Sequence, residues 1–202
     1  MRQNKMIKTI GITGGAGSGK SEVLKIMAEE FGAHIIMSDE VSRHLCKPGE
    51  KSYIKIVQTF GRQVLDVNER IDRARLAEVI FADADKREQL NAITHPDVKD
   101  AILEEIAQVR AEGKASCIAV EAALLLECGY KAILDEMWFV YTDAATRRER
   151  MKTTRGYSDE KIDHILKSQL SDEAFMQGCD RVIDNNGSLE NIRKQLAKIF
   201  SE

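Results

Sequence analysis

The chain of 202 residues is 43% apolar and 31% charged, with 30 Lys and Arg against 33 Asp and Glu and a formal net charge of −3. The length suits one domain carrying small insertions, and the charge balance argues against a nucleic-acid binder, which would show a basic excess. Apolar runs such as Ala122 to Leu126 fall far short of the roughly 20 residues of a membrane span. With no secretory pattern at the start, a cytoplasmic protein with no membrane contact is expected.

Apolar periodicity alternates between short strand-like runs and longer helical ones, the pattern of a parallel α/β sheet. The first predicted strand is Ile7 to Thr13, followed by a glycine-rich turn and a helix from about Lys20 to Phe31, with Gly32 placed to end it. His34 to Ser38 is the second strand, expected to neighbour the first in a sheet wound in the usual way. Cys117 to Glu121, Met137 to Thr142 and Arg181 to Asp184 are the third, fourth and fifth. A last helix begins near Ser188 with Leu189, Ile192, Leu196 and Ile199 on one stripe.

Between the second and third strands the chain is helical, far longer than a plain crossover needs. The spacing predicts helices over Ile71 to Ala82 and Pro96 to Arg110, with Pro96 in a first turn and Val98, Ile102, Ile106 and Val109 as the buried stripe. A second helical insertion, about Ala144 to Gly178, carries Arg147, Arg148, Arg150 and Arg155. Both follow the carboxyl ends of strands, where open α/β sheets bind ligands. The cysteines, Cys46, Cys117, Cys128 and Cys179, stand singly and read as free thiols, and the histidines show no metal-ligand spacing.

Gly14-Gly15-Ala16-Gly17-Ser18-Gly19-Lys20-Ser21 matches G-x-x-x-x-G-K-[ST] between a predicted strand and a predicted helix, the context of a phosphate-binding P-loop. Glycines let the backbone wrap an anion with N–H groups turned inward, and the helix N-terminus adds partial positive charge. Lys20 supplies a mobile charge for β- and γ-phosphates, and the Ser21 hydroxyl suits Mg²⁺. The motif implies ATP or GTP; no N/T-K-x-D element for guanine is present. The helical insertions and the arginine-rich late segment fit a phosphotransferase, which must close over two substrates and exclude water.

On the acceptor side Asp39, just after the second strand, is either the proton acceptor for an attacking hydroxyl or the N-cap of a helix starting near Glu40. Arg43, one turn on, suits an anionic acceptor or a solvated surface. His95 before Pro96 is a cap, a packed residue or a ligand contact, and Glu127 after Leu124-Leu125-Leu126 is a ligand contact or the end of a buried segment.

The ordered set of elements resembles the dephospho-CoA kinase family. Gly11 to Ser21 is similar to its opening, Ser38-Asp39 through Arg43 to its D-x-D-x-x-x-R segment, and Asp72-Arg73, Leu76, Phe81 and His95-Pro96 to its acceptor subdomain. Leu124 to Glu127 is similar to its P-L-L-F-E segment, and Gln169 and Val182 to Gly187 to its closing motifs. Met37 stands where the family usually has the first Asp of D-x-D, Ala123 replaces a usual Pro, and Thr154-Arg155 stands where Arg-Asp is common.

The resemblance implies a P-loop three-layer α/β fold like that of nucleoside-monophosphate kinases, with a five-stranded parallel sheet, a helical acceptor insertion and a helical lid. The parts implied are a nucleotide-binding core of 1–40, 115–143 and 179–202, an acceptor subdomain of 41–114 and a lid of 144–178. It implies ATP and Mg²⁺, dephospho-CoA as the small-molecule substrate, and a monomer. Gly14, Gly15, Ala16, Gly17, Ser18, Gly19, Lys20, Ser21 and Glu22 would hold the nucleotide, with Ser21 on the metal. Asp39, Lys20 and Arg150 would be catalytic, Arg150 acting with Arg148 or Arg155; Arg43, Arg73, His95 and Glu127 would hold the acceptor. From the residues alone, a kinase for another hydroxylated acceptor and a nucleotide-driven switch stay open.

Overall fold

A computed structural model of the chain describes residues 6–81, 83–122, 125–126 and 129–202. Five strands form one sheet: β1 (Thr9–Thr13), β2 (His34–Met37), β3 (Ile118–Glu121), β4 (Glu136–Tyr141) and β5 (Arg181–Asp184). The helices among the described residues are α1 (Lys20–Phe31), α2 (Ser38–Leu45), α3 (Lys51–Phe60), α4 (Arg73–Phe81), α5 (Ala84–Glu112), α6 (Ala144–Arg155), α7 (Asp159–Lys167), α8 (Asp172–Gly178) and α9 (Leu189–Ser201). None of the described helices is long and apolar enough to cross a membrane.

The strand order is β2-β3-β1-β4-β5. β1 pairs in parallel with β3 and with β4, and β4 with β5. The second strand therefore does not neighbour the first, contrary to the sequence expectation; β3 lies between them. The strands' own surfaces explain the order. Ile118, Ala119 and Val120 of β3 are buried, whereas three of the four β2 residues are partly exposed. A strand apolar on both faces belongs inside a sheet, and a half-wet one at its edge. The long helical excursion after β2 also frees it from a short crossover.

Contacts divide the chain into two compact units, 1–35 with 109–202, and 36–108. In the first, Ile12, Trp138, Phe139 and Val140 are buried along the central strands, with Val23, Leu24 and Met27 of α1 and Ile192 and Leu196 of α9. Phe31 stacks on Phe200 at 4.8 Å between ring centroids, joining the C-terminal ends of α1 and α9. Both helices follow their predicted spans, because each carries a single apolar stripe with a stop or start residue beside it.

The second unit has its own core of Ile56, Phe60, Val64 and Leu65, against which Ile71, Leu76, Leu90 and Ile93 pack. The predicted helix boundaries shift here. Asp72 accepts from Ala74 N–H at 2.9 Å and Arg75 N–H at 3.2 Å, so α4 starts two residues later than its apolar pattern indicated. Pro96 does not open a helix; it lies inside α5. Asp83 accepts from Asp85 and Lys86 N–H and so starts the helix before Pro96. Apolar residues on both sides of the proline, Leu90 and Ile93 before it and Val98 and Ile102 after it, carry the helix past the lost hydrogen bond.

Candidate active site

Parallel pairing brings the carboxyl ends of β1, β3, β4 and β5 to one edge of the sheet, and the residues after them meet around the Gly14–Ser21 loop. The loop turns on itself through Ser18 N–H to Gly15 O at 3.1 Å. Lys20 folds back, its Nζ donating to Gly14 O at 2.7 Å and lying 3.8 Å from the Glu121 carboxylate at the end of β3. Ser21 and Glu22, in the first turn of α1, are exposed.

The outer side of the loop is braced by residues far away in sequence. Ser18 O accepts from Asn185 Nδ2 at 2.7 Å and from the Thr142 hydroxyl at 3.0 Å, just past the ends of β5 and β4. Gly19 sits at φ 82°, and a Cβ there would stand 2.2 Å from Asn185 Nδ2. Both its left-handed backbone and the approach of Asn185 therefore demand glycine.

Arg150 joins this brace. Its Nη2 donates to Asn185 O at 3.0 Å, and its Nη1 reaches Thr142 Oγ1 at 3.4 Å and Ser18 O at 3.5 Å. The two other arginines named as its partners are directed elsewhere. Arg148 is paired with Asp163 and with Asp159 at 2.7 Å, which raise its guanidinium further, and Arg155 lies 6.0 Å from the Tyr157 ring centre. Asp143 caps α6 by accepting from Thr146 N–H at 2.9 Å. That bond and the one from the Thr146 hydroxyl hold its carboxyl below the usual range.

Two contributors carried no role in the sequence reading. Glu121 ends an apolar strand in the place from which a carboxylate reaches the P-loop lysine; that position in the pattern was its signal. Arg147 is buried against the loop at Gly15, and its neighbour there, Gln169, accepts the Ala16 N–H at 3.1 Å. A basic residue at a helical spacing reads as a solvated face, so nothing in the pattern separated Arg147 from the arginines beside it.

Of the acceptor-side candidates, Asp39, Arg43, Arg73 and His95 fall in the unit of 36–108. Asp39 is not a helix cap: α2 starts at Ser38, with Met37 in the N-cap position. Extended β2 geometry runs up to Met37 and the helix begins immediately, which puts Asp39 inside the first turn. Its side chain is exposed and makes no hydrogen bond or ion pair among the described residues. Arg43 Nε donates to the Asp39 backbone carbonyl at 3.0 Å, leaving that carboxylate unengaged. Arg73 opens α4 and is exposed; its charge partly offsets the burial that pushes the Cys46 thiol up. His95 is exposed on α5. Glu127, with Ala123, Leu124 and Cys128, lies outside the described residues.

Near these stands a buried carboxylate, Asp97, which accepts from Lys55 Nζ at 2.6 Å and Ser52 Oγ at 3.0 Å, with Lys51 Nζ at 3.2 Å. Burial alone would raise its carboxyl, but these three donors together hold it below the usual carboxylate value. The described cysteines, Cys46, Cys117 and Cys179, are free thiols, and no cluster of metal-ligating side chains occurs among the described residues.

A parallel sheet, a phosphate loop closed onto its own lysine and a helical segment over that loop define the P-loop kinases. The same fold is seen in shikimate kinase from Acinetobacter baumannii, with a TM-score of 0.53 over 98% of this chain and 95% of that one at 16% identity. The family is narrower: residues 8–191 match the model for dephospho-CoA kinase. The dephospho-CoA kinase of Geobacillus kaustophilus is 37% identical over 98% of this chain and 97% of its own. The solved dephospho-CoA kinase from Campylobacter jejuni superposes with a TM-score of 0.71 at 26% identity, covering 96% of each chain. The chain belongs to the dephospho-CoA kinase family.

Proposed function

We propose that this kinase transfers the γ-phosphoryl group of ATP to the 3′-hydroxyl of the ribose of dephospho-CoA, giving CoA and ADP, the last step of coenzyme A synthesis. The observation that carries it is the loop of Gly14–Ser21 with Lys20 folded onto it, in a chain of this family. The loop backbone, the α1 N-terminus and Lys20 hold the nucleotide phosphates. The donor set suits Mg²⁺: Ser21, with its exposed hydroxyl in the first turn of α1, would hold the ion together with phosphate oxygens of the nucleotide. When bound there, the ion neutralises charge on the phosphates.

On the acceptor side, Asp39 takes the proton of the attacking hydroxyl. An exposed carboxylate with its oxygens unengaged is ready to accept one. Arg43, Arg73 and His95, with Glu127, hold the acceptor. Residues 41–114 form the acceptor part, 144–178 the lid, and the remainder the nucleotide core. Arg150 keeps Ser18 and Asn185 together behind the loop while the phosphoryl group moves, so charge is met by a preorganised frame.

The test is ADP release with dephospho-CoA, nucleoside monophosphates and nucleosides as acceptors. Dephospho-CoA should stimulate release, with CoA formed in equal amount. Robust turnover of a nucleoside monophosphate with no response to dephospho-CoA would refute the assignment.

A further inference from the structure

The phosphate loop is also held in its first half, away from the Ser18–Gly19 part that Asn185 braces. Arg147 of α6 is 8% exposed, and its Nη2 reaches Asp172 Oδ1 at 3.3 Å, at the start of α8. A Cβ built on Gly15 would lie 2.0 Å from Arg147 Nη1 and 3.1 Å from Gln169 Oε1, so both side chains press on the Cα of Gly15. Gln169 Oε1 also takes the Ala16 N–H. Arg147 Nε is buried with no hydrogen-bond partner among the described residues.

An arginine buried this deeply with one N–H unmet costs free energy that packing alone does not return. Its burial calls for a task at the loop. Gly15, unlike Gly14, Gly17 and Gly19, has no positive φ, so its backbone conformation does not itself require glycine. What forbids a side chain there is the guanidinium.

We propose that Arg147 and Gln169 are positioning residues that clamp the Gly15–Ala16 turn in the shape that receives nucleotide phosphates, and that position 15 is glycine to admit the Arg147 guanidinium. Arg147 acts through the loop and through its pair with Asp172, and Gln169 through the Ala16 N–H. The segment carrying α6 to α8 is thereby tied to the first half of the loop, while Arg150 ties it to the second. A Cβ at position 15 displaces the guanidinium and breaks the Asp172 pair, so Gly15→Ala and Arg147→Ala remove the same thing.

This inference rests on reading the loop as a nucleotide site, and ADP titration separates the two. ADP affinity, kcat and thermal midpoint are measured for the wild type, Gly15→Ala, Arg147→Ala, Gln169→Ala and the double variant Gly15→Ala/Arg147→Ala. Each single variant should weaken ADP binding about five- to ten-fold, the loss of one or two hydrogen bonds. For Arg147→Ala and Gln169→Ala, kcat at saturating substrates should fall less than ADP affinity, since both side chains act through the loop and not on the transferred group. The double variant should bind ADP no more weakly than Arg147→Ala alone.

Multiplying losses in the double variant would overturn the clamp, because Gly15 would then serve the phosphate directly. A lowered melting point with unchanged ADP affinity in Arg147→Ala or Gln169→Ala would overturn it as well, leaving only a structural contact. Gln169 is half-buried and acts on a single N–H, so its variant keeps the test decisive where Arg147→Ala folds poorly. A wild-type protein that binds no ADP would defeat the nucleotide reading itself, and the clamp with it.

Discussion

The phosphate loop and the residues proposed to meet the acceptor are built on opposite plans. Around the loop, Lys20, Arg150, Asn185, Thr142 and Gln169 hold backbone atoms by hydrogen bonds of 2.7–3.5 Å from elements spread over most of the chain. Asp39, Arg43, Arg73 and His95 are exposed side chains on helices of the second unit, and the bond made by Arg43 goes to a backbone carbonyl of its own helix. The difference follows from chemistry. Phosphate is met by a preorganised array of backbone dipoles and fixed cations, whose reorganisation would cost catalysis. An acceptor hydroxyl needs one free carboxylate and charges that stay wet until the substrate arrives.

That contrast is open to direct attack. The largest effect should come from Lys20→Ala, which removes the cation lying on Gly14 O and near Glu121. kcat should fall roughly 10²–10³-fold with the thermal midpoint nearly unchanged, read by steady-state ADP release beside a melt. Near-normal turnover would mean that the backbone alone suffices and that the contrast is overdrawn.

Asp39→Asn comes next. With Met37 in the cap position, the substitution touches no cap, so stability should move by only a few tenths of a kcal/mol through the helix dipole. kcat with saturating dephospho-CoA should drop about 10²-fold, toward the low end for a positioned base because the transition state is loose. A stable variant keeping more than about half of its kcat would remove the base role.

Arg150→Ala should affect both activity and folding, as expected of a residue in the dense half. Losing its bonds to Ser18 and Asn185 should cost about 1–2 kcal/mol of stability and lower kcat roughly ten-fold. Loss of activity with no change in the melt would place Arg150 on the phosphates rather than behind the loop.

Asp97→Asn sharpens the comparison from the other side: a buried charge in the second unit that supports the fold and not the reaction. Stability should fall by about 1–2 kcal/mol, discounted because Lys51 and Lys55 are half-exposed, with kcat unchanged. Because the folded carboxyl titrates below its ordinary 3.8, its contribution is present above that pH and fades as pH falls through the lower folded value. Chemical melts of wild type and variant should therefore converge as the pH drops through that window. A constant gap would contradict the assignment.

The smallest response should be that of Cys117, whose buried thiol is pushed up to about 11. At pH 8 it is almost wholly protonated, so alkylation of the native protein should leave it intact, as peptide mapping would show. Rapid modification without unfolding would mean that the chain leading into β3 opens.

Much of this protein is determined by its sequence alone. The eight residues from Gly14 to Ser21, between an apolar strand and a one-faced helix, specify the phosphate site because their spacing and backbone freedom are local properties. The ordered motifs from Asp39 to Gly187 point to the same family that the comparisons find. The spans of α1, β5 and α9 follow from stripes and stops that act within a few residues. Tertiary structure alone decided the rest. β3 entered the sheet beside β1 because burial of both its faces, and not chain order, sets strand position. α5 ran through Pro96 because a cap before it and apolar contacts on both sides outweighed one lost bond. Of four neighbouring arginines, packing sent Arg148 to Asp159 and Asp163, Arg150 behind the loop and Arg147 against Gly15. Each of those choices depends on partners more than ten residues away, and a pattern confined to neighbours along the chain holds no record of them.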